Sequence, residues 1–181
     1  MLADLAKGRE AAATRMARDL DQWDGEIIVS PEARALAAAQ VPAKLRADIQ
    51  FAHRNIRRFA EAQRATIMDC NIEILPGLMA GQKHIPVASA GCYVPGGRYS
   101  HIASAIMTIT TAKVAGVPHI VACSPPRPGV GIPPAILYAM DLCGADVILN
   151  LGGVQGVAAM ANGLFGLPKA DILVGPGNQY V

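Results

Sequence analysis

The chain has 181 residues, of which 52% are hydrophobic and 17% charged, so it can bury a sizeable core and is not expected to be disordered. Its formal net charge of +2 is too small to argue for nucleic acid or an anionic membrane as a partner. No uncharged apolar run approaches the roughly 20 residues of a membrane span, and the charged first residues lack the apolar stretch of a signal peptide.

The cysteines indicate a reducing compartment, because none of them forms a C-x-x-C pair and each lies in or beside an apolar run. We therefore expect free, buried thiols in a cytoplasmic protein. The four residues are Cys70, Cys92, Cys123 and Cys143.

The first half of the chain, residues 1–88, is predicted to be mainly helical. Its predicted elements are a helix over 1–20, a strand over 26–29, a helix capped by Ser30 with Pro31 at its first position, a helix from Pro42 and a strand over 71–75. The helix from Pro42 carries one apolar stripe at 4-3-4-3 spacing, formed by Leu45, Ile49, Ala52, Ile56 and Phe59. Its basic face is interrupted by acidic residues, which favours a solvated surface over a polyanion site. We interpret this half as the N-terminal part of an incomplete α/β domain.

The second half, residues 89–181, alternates strands and helices. The predicted strands cover 87–94, 119–123, 146–149 and 171–174, and the predicted helices cover 102–115, 133–143 and 154–165. Short, uninterrupted apolar strands are typical of a parallel sheet that is buried on both faces. This pattern predicts a Rossmann-like α/β domain with helices on both faces, and right-handed crossovers then bring every loop that follows a strand to one edge.

Three glycine-rich loops follow strands of this half, at residues 93–97, 151–156 and 175–178. Glycine lets the backbone approach a ligand closely, and a helix N-terminus offers free N–H groups to an anion, so this edge can receive a phosphate-bearing cofactor. An ordinary tight turn explains the first loop alone equally well, and no G-x-G-x-x-G fingerprint is present. Gln155 can reach a ribose or pyrophosphate or can cap its helix, and Asn178 can bind a ligand or form a turn.

Two residues extend the first loop with polar chemistry. Arg98 can bind a carboxylate, phosphate or sulfonate by paired hydrogen bonds, although an exposed loop arginine is the commoner case. His101 has no spaced partner, which favours a residue at the start of a helix over a metal ligand. Asp146 and Asp171 precede strands and so belong to the opposite edge, while Asp141 near a helix end is expected to be solvated. The residues alone therefore predict a cofactor edge but no catalytic group.

Five ordered runs resemble the histidinol dehydrogenase family. They are Gly91-Cys92-Tyr93-Val94-Pro95-Gly96-Gly97, Thr111-Ala112-Lys113-Val114-Ala115-Gly116-Val117, Pro125-Pro126, Gly152-Gly153-Val154-Gln155-Gly156 and Gly175-Pro176-Gly177-Asn178. The resemblance covers nearly the whole chain. It implies a homodimer that uses zinc and oxidises a primary alcohol to a carboxylate in two NAD-dependent steps through an aldehyde. It also implies that Tyr93, Gln155 and Asn178 contact NAD.

The same resemblance implies that the zinc ligands and the Glu-His acid–base pair of the family follow the last glycine loop. We therefore expect no catalytic residue and no metal ligand within these 181 residues, and no turnover by this chain alone. The alternative from another class is a non-catalytic nucleotide-binding or dimerisation module.

Two further runs favour one branch of the family, which oxidises 2,3-dihydroxypropane-1-sulfonate (sulfopropanediol) to sulfolactate. They are Asp21-Gln22-Trp23-Asp24-Gly25-Glu26-Ile27 and Gly96-Gly97-Arg98-Tyr99-Ser100-His101-Ile102-Ala103-Ser104-Ala105. We expect Arg98 and His101 to lie near the polar tail of the substrate and to select a sulfonate. The alternative substrate is L-histidinol, which a true histidinol dehydrogenase converts to L-histidine.

Overall fold

The computed structural model describes residues 1–96 and 101–176. The helices in these residues are α1 (Leu2–Asp21), α2 (Pro31–Gln40), α3 (Ala43–Ala65), α4 (Ile102–Ala115), α5 (Pro134–Cys143) and α6 (Gly153–Asn162). The strands are β1 (Cys70–Leu75), β2 (Leu78–Gln82), β3 (Ser89–Tyr93), β4 (His119–Ser124), β5 (Val147–Asn150) and β6 (Ile172–Val174). None of the described helices is long and apolar enough to cross a membrane.

The main sheet has four strands in the order β5-β4-β3-β6, and every neighbouring pair is parallel. The chain runs outward from β3 through β4 to β5 and then returns through α6 to place β6 on the other side of β3. The strand order therefore reverses beside β3, and ligands of open α/β sheets bind outside the carboxyl ends at such a point.

Helices cover both faces of this sheet, as predicted. Alternate strand residues such as Cys92 and Ile148 join one core cluster with α4 and α5, while Cys123 and Leu149 join a second cluster with α1 and α6. Gly116 and Gly144 adopt positive φ angles of 84° and 93° at the ends of α4 and α5, so these glycines stop the helices where the sequence predicts. The α/β prediction is confirmed.

The helices of the first half pack onto the helices that flank the sheet, with α1 against α6, α2 against α5 and α3 against α4. The division at residue 88 into two domains stays a prediction. The strand predicted over 26–29 is reduced to one bridge between Ile28 and Leu149 at the edge of β5. Pro31 opens α2 directly afterwards, which leaves room for only this short contact.

The hairpin of β1 and β2 lies outside the main sheet and is exposed along its whole length. The sequence predicts β1 but not its antiparallel partner β2. Cys70 is exposed at the start of β1, so the expectation of a buried thiol is wrong for this cysteine and correct for the other three. Phe59 is 64% exposed although it belongs to the predicted buried stripe of α3, because the inward face turns toward Ala60 instead.

Candidate cofactor-binding site

Loops that follow three neighbouring strands meet at the carboxyl edge of the sheet. Pro125 follows β4, the central strand of the three, and a Cβ atom at Gly96 would lie 3.1 Å from its side chain. A Cβ at Gly152, after β5, would lie 2.7 Å from the same proline. Glycine at both positions therefore lets the outer loops close onto the central one.

The loop after β6 joins the same edge. A Cβ at Gly175 would overlap the carbonyl oxygen of Tyr93, so a residue with a side chain cannot take this place without moving the backbone. Gly177 and Asn178 of this loop lie outside the described residues, as do Gly97 and Arg98 of the first loop. The predicted roles of Asn178 and Arg98 stay predictions.

Tyr93 ends β3 and is 8% exposed, and its hydroxyl oxygen accepts a hydrogen bond of 3.2 Å from the backbone N–H of Gly153. Burial raises the pKa of the Tyr93 phenol, while the bond from Gly153 opposes that shift and the nearby Cys123 and Asp21 add to it. The phenol is therefore protonated at neutral pH. A protonated phenol that already accepts from Gly153 retains its O–H as a donor for a ligand.

Gln155 lies in the first turn of α6 and is 1% exposed. Its Nε2 donates a hydrogen bond of 2.8 Å to Oδ2 of Asp21, the last residue of α1. The backbone N–H of Gly152 donates to the same oxygen at 3.0 Å. The other amide atom, Oε1, is buried and has no hydrogen-bond partner in the described part of the chain. Buried polar atoms are nearly always paired, so an unpaired one in this position marks a place for a ligand donor.

Asp21 is the residue of this site that sequence reasoning missed. It belongs to one of the runs that favour the sulfopropanediol branch, but no local pattern gives it a role. Its partners Gly152 and Gln155 lie 131 and 134 residues further along the chain. Only the packing of α1 on α6 brings them together, and a single sequence carries no signal for that contact.

The amino end of α6 differs from the free anion site that the sequence suggests. Asp21 already accepts from the N–H of Gly152, and Tyr93 accepts from that of Gly153. Two of the N–H groups that a phosphate would use are thus occupied by the protein itself.

His101 is the N-cap residue of α4, and its side chain makes no capping hydrogen bond. Its carbonyl oxygen instead accepts from the N–H of Ser104 at 3.1 Å and of Ala105 at 3.4 Å. This position agrees with a residue that starts a helix. Its predicted role near the substrate stays a prediction.

The acidic residues before the strands have structural partners. Asp146 accepts from the N–H of Ile120 at 2.7 Å and pairs with Lys113. Asp171 accepts from the N–H groups of Ala88 and Ser89 at 2.8 and 3.0 Å. Both lie at the amino ends of strands, as predicted. Asp141 is half-exposed and pairs with Arg34. Within residues 1–96 and 101–176, no three His, Cys, Asp or Glu side chains come together as a metal site requires.

The fold and this edge define a class, namely a doubly wound α/β protein with polar groups at the sheet edge where its strand order reverses. The family model described as histidinol dehydrogenase matches residues 1–181. The chain therefore belongs to the histidinol dehydrogenase family, and the resemblance read from its glycine loops is confirmed.

Two relatives and one solved structure show how the chain compares with this family. It is 65% identical over 181 residues to the sulfopropanediol 3-dehydrogenase of Ruegeria pomeroyi, and this match covers 100% of this chain and 42% of that protein. It is 42% identical over 155 residues to the histidinol dehydrogenase of Methanosarcina barkeri, a match over 84% of this chain and 35% of that protein. The crystal structure of histidinol dehydrogenase from Elizabethkingia anophelis superposes with a TM-score of 0.89 at 32% identity, over 99% of this chain and 41% of that one. The chain spans about two fifths of the length of the relatives that it matches.

Proposed function

We propose that this chain supplies the cofactor-binding part of an NAD-dependent, zinc-requiring alcohol dehydrogenase that oxidises a primary alcohol to a carboxylate through an aldehyde. Membership of the family supports the dehydrogenase class. The buried, unpaired Oε1 of Gln155 at the carboxyl edge is the observation that carries the cofactor proposal.

The described residues fit a nicotinamide dinucleotide. Tyr93 offers a neutral phenol, and Gln155 offers an unpaired acceptor at the same edge of the sheet. Asn178 is the third predicted contact. When bound, NAD would accept the hydride that leaves the alcohol carbon. The work of this chain is to hold the dinucleotide in one orientation and to limit the access of water to it.

The zinc ion and the homodimer rest on the family resemblance alone. The described residues do not bring together the His, Cys, Asp or Glu side chains that a zinc site requires. We propose that the ligands and the acid–base pair belong to a part of the whole protein that these 181 residues do not include.

For the substrate, we propose sulfopropanediol, which is oxidised to sulfolactate. The 65% identity to a sulfopropanediol 3-dehydrogenase supports this choice over L-histidinol, since the identity to the histidinol dehydrogenase of M. barkeri is 42%. Arg98 and His101 are the residues proposed to recognise the sulfonate. If Arg98→Ala left kcat/KM for sulfopropanediol unchanged in the whole protein, this role would be lost.

The test of the cofactor proposal compares two buried tyrosines. Tyr93→Phe removes the hydroxyl at the carboxyl edge, whereas Tyr138→Phe removes a hydroxyl that accepts from Gln50 at 3.0 Å within the helical layer. We expect Tyr93→Phe to weaken NAD binding about tenfold, the equivalent of one lost hydrogen bond, and Tyr138→Phe to leave it unchanged. Equal NAD affinity in both variants and the parent would contradict the site.

Turnover is assayed on the whole protein with zinc, NAD and either sulfopropanediol or L-histidinol. Reduction of NAD with sulfopropanediol and not with L-histidinol is expected, and the reverse preference would assign the histidine-pathway reaction. NAD binding without turnover of either alcohol would favour the non-catalytic module. For the 181-residue chain alone we expect no turnover.

A further inference from the structure

The orientation of the Gln155 amide is fixed by Asp21. An ionised carboxylate only accepts hydrogen bonds, so the group that faces Oδ2 of Asp21 at 2.8 Å must be the NH₂ of Gln155. The carbonyl oxygen Oε1 is thereby turned to the other side. Asp21 is itself held in place by the N–H of Gly152 at 3.0 Å. A residue of α1 thus determines that Gln155 presents a hydrogen-bond acceptor on this side.

Gly153 lies beside the buried oxygen Oε1 and has no side chain to fill the space next to it. A Cβ atom at Gly153 would lie 3.4 Å from Oε1, and Gly153 has a φ angle of +46° that disfavours any other residue. No side chain of residue 153 therefore covers the oxygen. A ligand that reaches this place meets an acceptor and must bring a donor, such as a hydroxyl group.

The charge at the amino end of α6 is also set by Asp21. A free helix N-terminus attracts anions, but here the carboxylate of Asp21 occupies the N–H of Gly152 and brings its own negative charge. The N–H of Gly153 is directed to the neutral hydroxyl of Tyr93. A phosphate placed at this end would lie beside a carboxylate and would find two of its N–H donors already bonded.

We propose that Asp21 is a positioning and specificity-determining residue that makes the end of α6 accept a sugar hydroxyl of the cofactor and reject a phosphate. The proposal rests on the proposed function, since it names the part of the dinucleotide that Gln155 meets. The ribose is thereby placed at the amino end of α6, and the pyrophosphate elsewhere along the carboxyl edge of the sheet.

The first experiment removes the charge of Asp21 and keeps its shape. Asp21→Asn in the whole protein is titrated with inorganic phosphate, with Asp19→Asn as the matched control, because Asp19 is an exposed aspartate on the same helix. We expect Asp21→Asn to bind phosphate about tenfold more tightly than the parent and Asp19→Asn to match the parent. Unchanged phosphate affinity in Asp21→Asn would overturn the exclusion of phosphate, whether or not the parent binds NAD.

The second experiment frees the Gln155 amide. Asp21→Ala is expected to bind NAD about tenfold more weakly than the parent, while Asp21→Asn, whose carbonyl oxygen can still hold the NH₂ of Gln155, stays within about threefold. A purely structural role would weaken NAD and phosphate together in both variants. Circular dichroism verifies that each variant is folded.

The third measurement needs no variant and decides the matter if Asp21→Ala does not fold. The parent is titrated with NAD analogues that each lack one ribose hydroxyl, and one of them is expected to bind about tenfold more weakly than NAD. Full affinity for every such analogue would overturn the hydroxyl contact while leaving the proposed function intact. A parent that binds neither NAD nor its analogues would instead refute the proposed function.

Discussion

Gly156 links the packing of the sheet to the shape of the site. It lies in α6, one residue after Gln155, and a Cβ atom there would lie 2.9 Å from the carbonyl oxygen of Leu151 and 3.0 Å from Sγ of Cys123. Both neighbours are fully buried, so neither can move into solvent. Gly156→Ala must therefore push α6 outward from β4 by several tenths of an ångström.

Two opposing terms set the size of this effect. Overpacking of a well-filled core costs about 1–3 kcal/mol, whereas alanine gains about 1 kcal/mol over glycine within a helix. We expect the packing term to win and the free energy of unfolding to fall by about 1 kcal/mol. In a protein of this size that change lowers Tm by about 3 °C. The same displacement lengthens the bonds of α6 to Tyr93 and Asp21, so NAD affinity falls as well.

Thermal unfolding of four proteins tests this reasoning: the parent, Gly156→Ala, Cys123→Ala and the double variant. Cys123→Ala removes one of the two atoms in the way, so the double variant should be more stable than the sum of the single changes by about 1 kcal/mol. Recovery is expected to be partial, because the carbonyl oxygen of Leu151 remains. A Tm of Gly156→Ala equal to or above that of the parent would refute the close packing of α6, and strict additivity would remove Cys123 from the explanation.

Three further predictions concern groups away from Gly156. Asp171→Ala leaves two backbone N–H groups at the start of β3 without their acceptor, so the free energy of unfolding should fall by about 1–2 kcal/mol. Asp141→Ala breaks a half-exposed ion pair with Arg34 and should lower it by less than about 1 kcal/mol. Equal losses of Tm in the two variants would contradict this. Burial raises the pKa of Cys92 and of Cys143 from 9.0 to about 11. The stability that these neutral thiols confer is therefore complete below pH 9 and is lost as the pH rises toward 11. A Tm that stays constant between pH 9 and pH 11 would refute this prediction. In the native protein at pH 8, a thiol reagent should modify Cys70 within the first phase and the other three cysteines only on unfolding, and rapid labelling of more than one thiol would show that the sheet core is open.

The second half of the fold could be predicted because its signals are local. Each strand from β3 onward is a short apolar run, and glycines such as Gly116 and Gly144 stop the helices between them. These features depend on neighbours in sequence and on the two-sided burial of a parallel sheet. They also predict that Tyr93 and Gln155 come to one edge, and in the structure Tyr93 accepts a hydrogen bond from Gly153, two residues before Gln155.

The remaining features depend on long-range contacts that local sequence patterns do not predict. The apolar residues of β1 predict a strand, but nothing local says that the hairpin stays exposed, as Ile72 does at 56%. Phe59 fits the buried stripe of α3 by spacing and is nevertheless exposed, since the choice between it and Ala60 depends on how α3 meets α4. In the sequence, Asp21 is an ordinary aspartate at the end of a helix, and only the packing of α1 on α6 brings it to Gly152 and Gln155.

The docking of α1 also has a kinetic consequence. Contacts between residues more than 130 positions apart carry a large cost in loop-closure entropy, so we expect them to form late in folding. The site around Gln155 is therefore complete only after α1 has packed against α6. A nucleotide held at Gln155 would in turn slow the release of α1, so protection of residues 1–21 from proteases should report occupancy of the site.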